Sequence, residues 1–255
     1  MTLLATRGLT KFFGGLAAVQ GLDLNVNQGE IVGLIGPNGA GKTTVFNLLS
    51  GFLSPGKGQI LFKGQDITGL KPYKVAEKGL VRTFQLTTLF TDLSVMQNVL
   101  IGCHRRVHIG LWQDLLHTAS VRRREKEVED KALAALEFTG LSNLKAELAG
   151  SLPHGHQRSL ALAIALVAEP EMLLLDEPVT GMNAQETTAF MGRLDSLRQR
   201  GVTILLIEHN MLAAMSCCDR MVVLNYGQKI AEGTPAEIRQ NEEVIRAYLG
   251  HGEVG

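Results

Sequence analysis

The sequence predicts an α/β fold in which a parallel sheet carries one site at its strand ends, an antiparallel β-layer lies ahead of it, and a helical subdomain is inserted between its strands. Three observations point there. The apolar runs 30–35 (EIVGLI), 172–175 and 202–207 have strand length, and each stops at a Gly-rich turn or on polar residues. Ligands of parallel α/β sheets bind at the carboxyl ends of strands, so the three endings mark one site. Ahead of them, within residues 3–64, segments such as 22–26 and 59–62 alternate apolar and polar residues between Gly and Pro, as antiparallel strands do. From about residue 86 to 150 the periodicity turns helical.

Taken in order, the strand at 30–35 runs into a Gly-rich turn and then a helical pattern near Lys42. The charged run 122–127 (RRREKE) leads into the periodic segment 128–138, and its mixed signs suit a solvated helix face. Residues 185–200 form a further helix candidate. A helical appendage is expected over 234–249, opening on Thr234-Pro235. The expected division is a single domain over 1–255: a parallel-sheet core with its β-layer at about 1–85 and 159–235, a helical subdomain at about 86–158, and a C-terminal helical extension at about 236–255.

Composition narrows the function. The chain has 255 residues and 45% hydrophobic content, enough for a substantial core. Lys plus Arg and Asp plus Glu are each 25, so there is no overall field to draw nucleic acid. Cys103, Cys217 and Cys218 lack metal-ligand spacing and suggest a reducing compartment. The start shows no basic stretch followed by an apolar run, and no signal peptide is expected. The longest apolar run, 160–168, is far short of the roughly 20 residues that span a bilayer, so it reads as a buried helix.

The chemistry begins at Gly36, Pro37, Asn38, Gly39, Ala40, Gly41, Lys42 and Thr43, a full G-x-x-x-x-G-K-[ST] match, with Thr44 following, between a predicted strand and a predicted helix. Glycines let backbone N–H groups wrap phosphates, the helix N-terminus favours anions, Lys42 reaches the β- and γ-phosphates of ATP, and Thr43 offers a hydroxyl to Mg²⁺. The core is therefore expected to be a P-loop NTPase of the RecA-like kind. Asp176 and Glu177 end the second strand. Asp176 is expected to bind the metal and Glu177 to orient and activate the attacking water. His209 ends the third strand, where an imidazole can donate to the γ-phosphate.

Together GPNGAGKT, VRTFQ, LPHGHQR, LLLDEP and IEHN resemble the ATP-binding subunits of ABC transporters, in order and spacing over nearly the whole chain. The resemblance implies four further roles. Gln85 would contact the Mg²⁺ and water region and couple it to the helical subdomain. Leu152, Pro153, His154, Gly155 and His156 would form the signature segment that caps the ATP of the opposite subunit. Residues 180–183 would cross the dimer interface. Phe13 would stack on adenine, with Phe12 a rival. The signature departs from the family's LSGGQ: its serine hydroxyl is missing, and Gly155 with a helix N-terminus remains. Either this weakens one ATP site, or relatives vary here without consequence. His154 or His156 replacing part of the lost contact is a further expectation.

A narrower resemblance, carried by FGGLAAV, VRTFQ with LF and NVL following, LLIEHNM and GTPAEIRQNEEVIRAYLG, is to the larger ATPase of bacterial branched-chain amino-acid importers. It implies a different sister ATPase as partner, two membrane permeases, an external substrate-binding protein, and a peripheral place on the cytoplasmic face of the bacterial inner membrane. Urea, amides and aromatic acids are the alternative cargoes. Leu86, Leu89 and Phe90 would serve either a permease groove or the subdomain core. A soluble ABC-type ATPase acting on nucleic acid or ribosomes is the rival class, and a P-loop metabolic kinase a third.

Overall fold

The computed structural model describes residues 1–83, 89–103 and 119–249. By internal contacts it divides into two compact units. The first comprises Met1–Arg82, Glu171–Pro178 and Leu194–Gly255; the second comprises Thr83–Pro170 and Val179–Arg193.

The first unit holds both sheets. β1 (Thr2–Phe13), β2 (Leu16–Asn27), β4 (Lys57–Phe62) and β5 (Gln65–Asp66) form a four-stranded antiparallel layer in the order β2-β1-β4-β5. The six-stranded sheet joins β3 (Ile31–Ile35), β6 (Leu80–Thr83), β7 (Met172–Asp176), β8 (Thr203–Ile207), β9 (Arg220–Asn225) and β10 (Gln228–Gly233) in the order β10-β9-β3-β8-β7-β6. β9, β3, β8 and β7 run parallel, and β10 turns back antiparallel along the edge.

The apolar runs explain this placement. β3, β7 and β8 are buried at every position, as strands covered on both faces must be. Period two sorts their side chains. Val32, Leu34, Leu174, Leu205, Ile207, Val222 and Leu224 join one core with Leu4, Leu9, Val19 and Leu24 of the β-layer and with Phe46. The alternate set, Leu173, Leu175, Ile204, Leu206 and Val223, is equally buried. The β9–β10 pair is absent from the strand expectations because neither strand ends on a residue of evident chemistry.

The C-terminal appendage is two helices where one was anticipated. α8 (Pro235–Gln240) opens on a capping box between Thr234 and Glu237, and α9 (Glu242–Leu249) restarts at Asn241. The Asn241 carboxamide oxygen accepts from the N–H groups of Glu243 and Val244, a local bond that competes with a continuous helix.

In the second unit α3 (Val95–Cys103), α4 (Ala119–Thr139) and α5 (His154–Leu166) pack around Val95, Val99, Leu136, Leu141, Leu160, Ala163 and Val167. The run at 160–168 thus lies mostly in α5, whose apolar side chains belong to this helical core; the unit extends to Pro170 for that reason. No helix among the described residues is long and apolar enough to cross a membrane.

Candidate active site

Strand β3 ends at Ile35, and the chain wraps through residues 36–41 into α1 (Lys42–Leu49), whose first turn carries no acidic residue. Close backbone approaches explain two of the glycines. Gly36 adopts φ 149° and Gly41 φ 101°; a Cβ would sit 2.1 Å from the Leu224 carbonyl oxygen at the first and 2.3 Å from that of Ala18 at the second. Behind the loop, the Gly227 N–H in the β9–β10 turn donates to the Ala40 carbonyl at 3.0 Å. Burial raises the Tyr248 phenol's pKa, partly opposed by a hydrogen bond from the Gly36 backbone, so α9 also reaches the start of the loop. Asn38, Gly39 and Thr43 remain exposed and Thr44 half-buried.

Lys42 is buried, and its ammonium donates to the carbonyls of Gly36 at 2.7 Å and Pro37 at 2.9 Å. Burial pushes its pKa below the ordinary lysine value, while the nearby charges of Glu177 and Asp176 pull it back up. The loop thus holds a desolvated cation beside two carboxylates, bonded to carbonyls that an anionic oxygen could replace.

Asp176 closes β7 and is buried at 6% exposure, too deep for an unpaired charge. Its partner is Arg82 of β6, whose Nη2 donates to Oδ2 at 2.7 Å. Glu177 follows with φ 48° and donates its N–H to the Ile207 carbonyl, which ties the end of β7 to the end of β8. The next residues of β8's exit are Glu208 and His209. His209 Nε2 stands 2.5 Å from Glu177 Oε1. An ionised carboxylate only accepts, and it would take this bond from the Nε2–H tautomer of the imidazole. Glu177 retains 21% side-chain exposure, enough for water to reach it.

Phe12 and Phe13, at the tip of the β1–β2 hairpin, are 48% and 47% exposed, so exposure does not choose between them. Lys11 Nζ lies 5.6 Å from the centre of the Phe13 ring. Gln85 and Leu86 fall on 84–88 and lie outside the described residues.

In the second unit residues 152–156 lead into α5. Leu152 is buried, Pro153 is the N-cap with φ −55° and ψ 152°, and His154 and His156 are exposed. Proline has no side-chain acceptor, and the first-turn N–H groups of a helix have no intrahelical partner. Gly155 packs against Glu186 of α6 (Ala184–Gln199): a Cβ there would stand 2.9 Å from Glu186 Oε1. The same carboxylate accepts from the Asn183 N–H while the Asn183 side chain accepts from the Glu186 N–H. This capping box anchors the end of the 180–183 loop. Arg82 and Glu186 are the two contributors absent from the sequence reading.

The residues fit Mg²⁺ in kind. A threonine hydroxyl and a carboxylate with one oxygen bonded to Arg82 are hard oxygen donors, and Mg²⁺ in nucleotide sites commonly uses one or two protein oxygens beside phosphate and water. Among the described residues no cluster of three or more His, Cys, Asp or Glu offers an all-protein metal site.

Comparison with known proteins identifies the family and the fold. The ABC transporter family model matches residues 19–180, and a model for branched-chain amino acid ATP-binding cassette transporters matches residues 228–254. The chain is 44% identical over 249 residues to the high-affinity branched-chain amino acid transport ATP-binding protein BraF of Pseudomonas aeruginosa, covering 97% of this chain and 98% of that one. It is 46% identical, with the same coverage, to LivG of Escherichia coli K12, which bears the same description. Among solved structures it is similar to the ADP conformation of MJ1267, an ATP-binding cassette of an ABC transporter, with TM-score 0.87, 32% identity, and 98% and 99% of the two chains covered. The dimeric post-hydrolysis structure of the cassette MJ0796 bound to ADP and Pi shares the fold, with TM-score 0.77, 21% identity, and 91% and 99% covered.

Proposed function

The chain belongs to the ATP-binding subunits of ABC transporters, and from that premise we propose that it hydrolyses Mg²⁺-ATP to power a membrane importer for branched-chain amino acids. The carrying observation is the set of phosphate-loop backbone, buried Lys42, Asp176, and Glu177 bonded to His209, all at the carboxyl ends of neighbouring strands of one sheet. The cargo rests on BraF and LivG, relatives with that role in their names over nearly the whole chain, and on the family match at 228–254.

In the proposed cycle the loop N–H groups and Lys42 bind the β- and γ-phosphates. Thr43, Asp176 and, by resemblance, Gln85 would hold Mg²⁺, which would supply positive charge to offset that of the phosphates. Glu177 accepts a hydrogen bond from the attacking water and fixes it in line with the γ-phosphorus. His209 holds Glu177 through Nε2–H and can turn that donor to the γ-phosphate. Phe13 would stack on adenine. A second ATPase completes each site: the first turn of its α5 counterpart caps the phosphates, and residues 152–156 of this chain do the same for the partner's nucleotide. A pair with a sister ATPase, two permeases and an external binding protein, seated peripherally at the cytoplasmic face of a bacterial inner membrane, is the assembly this reading calls for.

Leucine uptake tests the cargo. Cells lacking this chain lose high-affinity leucine uptake and regain it with the wild type but not with Glu177→Gln. Unchanged leucine uptake together with lost uptake of urea, an amide or an aromatic acid rejects the branched-chain assignment and leaves the ATPase reading standing.

A further inference from the structure

We infer that Arg82 is a positioning residue for the metal side of the site: its guanidinium fixes the rotamer of Asp176 and clamps it to the helix that follows the phosphate loop. The inference rests on the reading of Asp176 as a Mg²⁺-facing carboxylate and deepens it.

Arg82 lies on β6, next to β7 in the sheet, and its side chain is only 8% exposed. Each end of its planar fork is occupied. Nη2 donates to Asp176 Oδ2 at 2.7 Å; Nη1 donates to Asn47 Oδ1 at 2.6 Å and to Ser50 Oγ at 3.3 Å. The guanidinium carbon stands 5.6 Å from the centre of the Phe46 ring. Phe46, Asn47 and Ser50 belong to α1 or its C-cap, so one cation joins the metal carboxylate to the helix that begins at Lys42.

Two consequences follow. The contact takes Oδ2, which leaves Oδ1 as the oxygen available to Mg²⁺. The fork cannot follow Asp176 without pulling on Asn47, so β7 and α1 hold one spacing, and with it the spacing of Asp176 from Thr43. A lysine keeps the charge at this place but not the two-ended geometry. Hydrogen-bond partners that orient metal ligands typically change metal affinity by about 10–100-fold when removed.

The test measures binding without turnover, using a fluorescent ATP analogue titrated at zero Mg²⁺ and then with increasing Mg²⁺, on the full chain. Asp176→Asn is the reference for the underlying reading and should abolish most of the Mg²⁺ enhancement; if it does not, the metal-side reading of Asp176 fails independently of Arg82. Arg82→Gln should raise the half-saturating Mg²⁺ about tenfold while Mg²⁺-free binding stays within about twofold. Arg82→Lys and Asn47→Leu, which keep the buried charge paired and guard against a misfolded Gln variant, should shift it about threefold. Arg82→Gln added to Asp176→Asn should shift it no further, because Arg82 acts through Asp176. Arg82→Lys and Asn47→Leu both folded with unchanged Mg²⁺ half-saturation, beside a shifted Asp176→Asn, overturn the inference and leave Arg82 a structural ion pair.

Discussion

The first unit presents its functional groups as charged side chains, each held by a named partner, whereas the second presents backbone at a helix start. Lys42 bonds to loop carbonyls, Asp176 to Arg82, and Glu177 to His209. Residues 152–156 offer instead the first turn of α5 behind Pro153, with Gly155 set against Glu186. The difference teaches which kind of change each region tolerates. A side-chain site fails when one group is removed. A backbone site keeps its N–H donors and dipole through most substitutions, which would let residues 152–156 serve the proposed phosphate contact despite departing from LSGGQ.

That contrast breaks most readily at the buried ion pair. Arg82→Met leaves the Asp176 carboxylate buried without its cation and should cost about 3–5 kcal/mol of folding stability in denaturant titration. A loss under about 1 kcal/mol would show that Asp176 finds water or another partner. Lys42→Ala removes charge-assisted bonds worth about 1.5–3 kcal/mol, so ATP affinity should fall roughly 10–100-fold by equilibrium binding. Unchanged affinity would remove the loop from the site. Gly155→Ala sharpens the other half of the comparison. Alanine favours a helix by about 0.5–1 kcal/mol, but its Cβ would press on the Glu186 carboxylate and disturb the Asn183 cap. Stability should therefore stay within about 1 kcal/mol of the parent, with ATP-dependent association with the partner ATPase weakened a few-fold in sedimentation.

The same contrast governs what the sequence made legible. The phosphate loop, Asp176, Glu177 and His209 can be read because each chemical group sits beside the strand that delivers it, and continuous apolar runs mark those strands. Arg82 was invisible in this way: its partners Asn47, Ser50 and Asp176 lie 35, 32 and 94 residues away, and a charged residue in a four-residue strand carries no signature of its own. The support of Gly155 by Glu186 is likewise a tertiary contact. Broad architecture followed from periodicity. The helix break at Asn241 did not, because a side-chain cap there overrides helical propensity. Gln85 lies outside the described residues, so the coupling role given to it stays an inference from resemblance.

The most direct test of the central claim is steady-state ATP turnover of the assembled transporter, with substitutions placed in this chain alone. Glu177→Gln should lower turnover by at least about 100-fold while bound ATP is retained, because water activation is lost and the cradle is intact. His154→Ala with His156→Ala should lower turnover far less, by up to about tenfold, because the imidazoles replace only part of the missing serine contact and the α5 backbone donors remain. A complex that tolerates Glu177→Gln yet stops when the two histidines are removed would contradict the account, placing the chemistry in the signature segment rather than at the ends of β7 and β8.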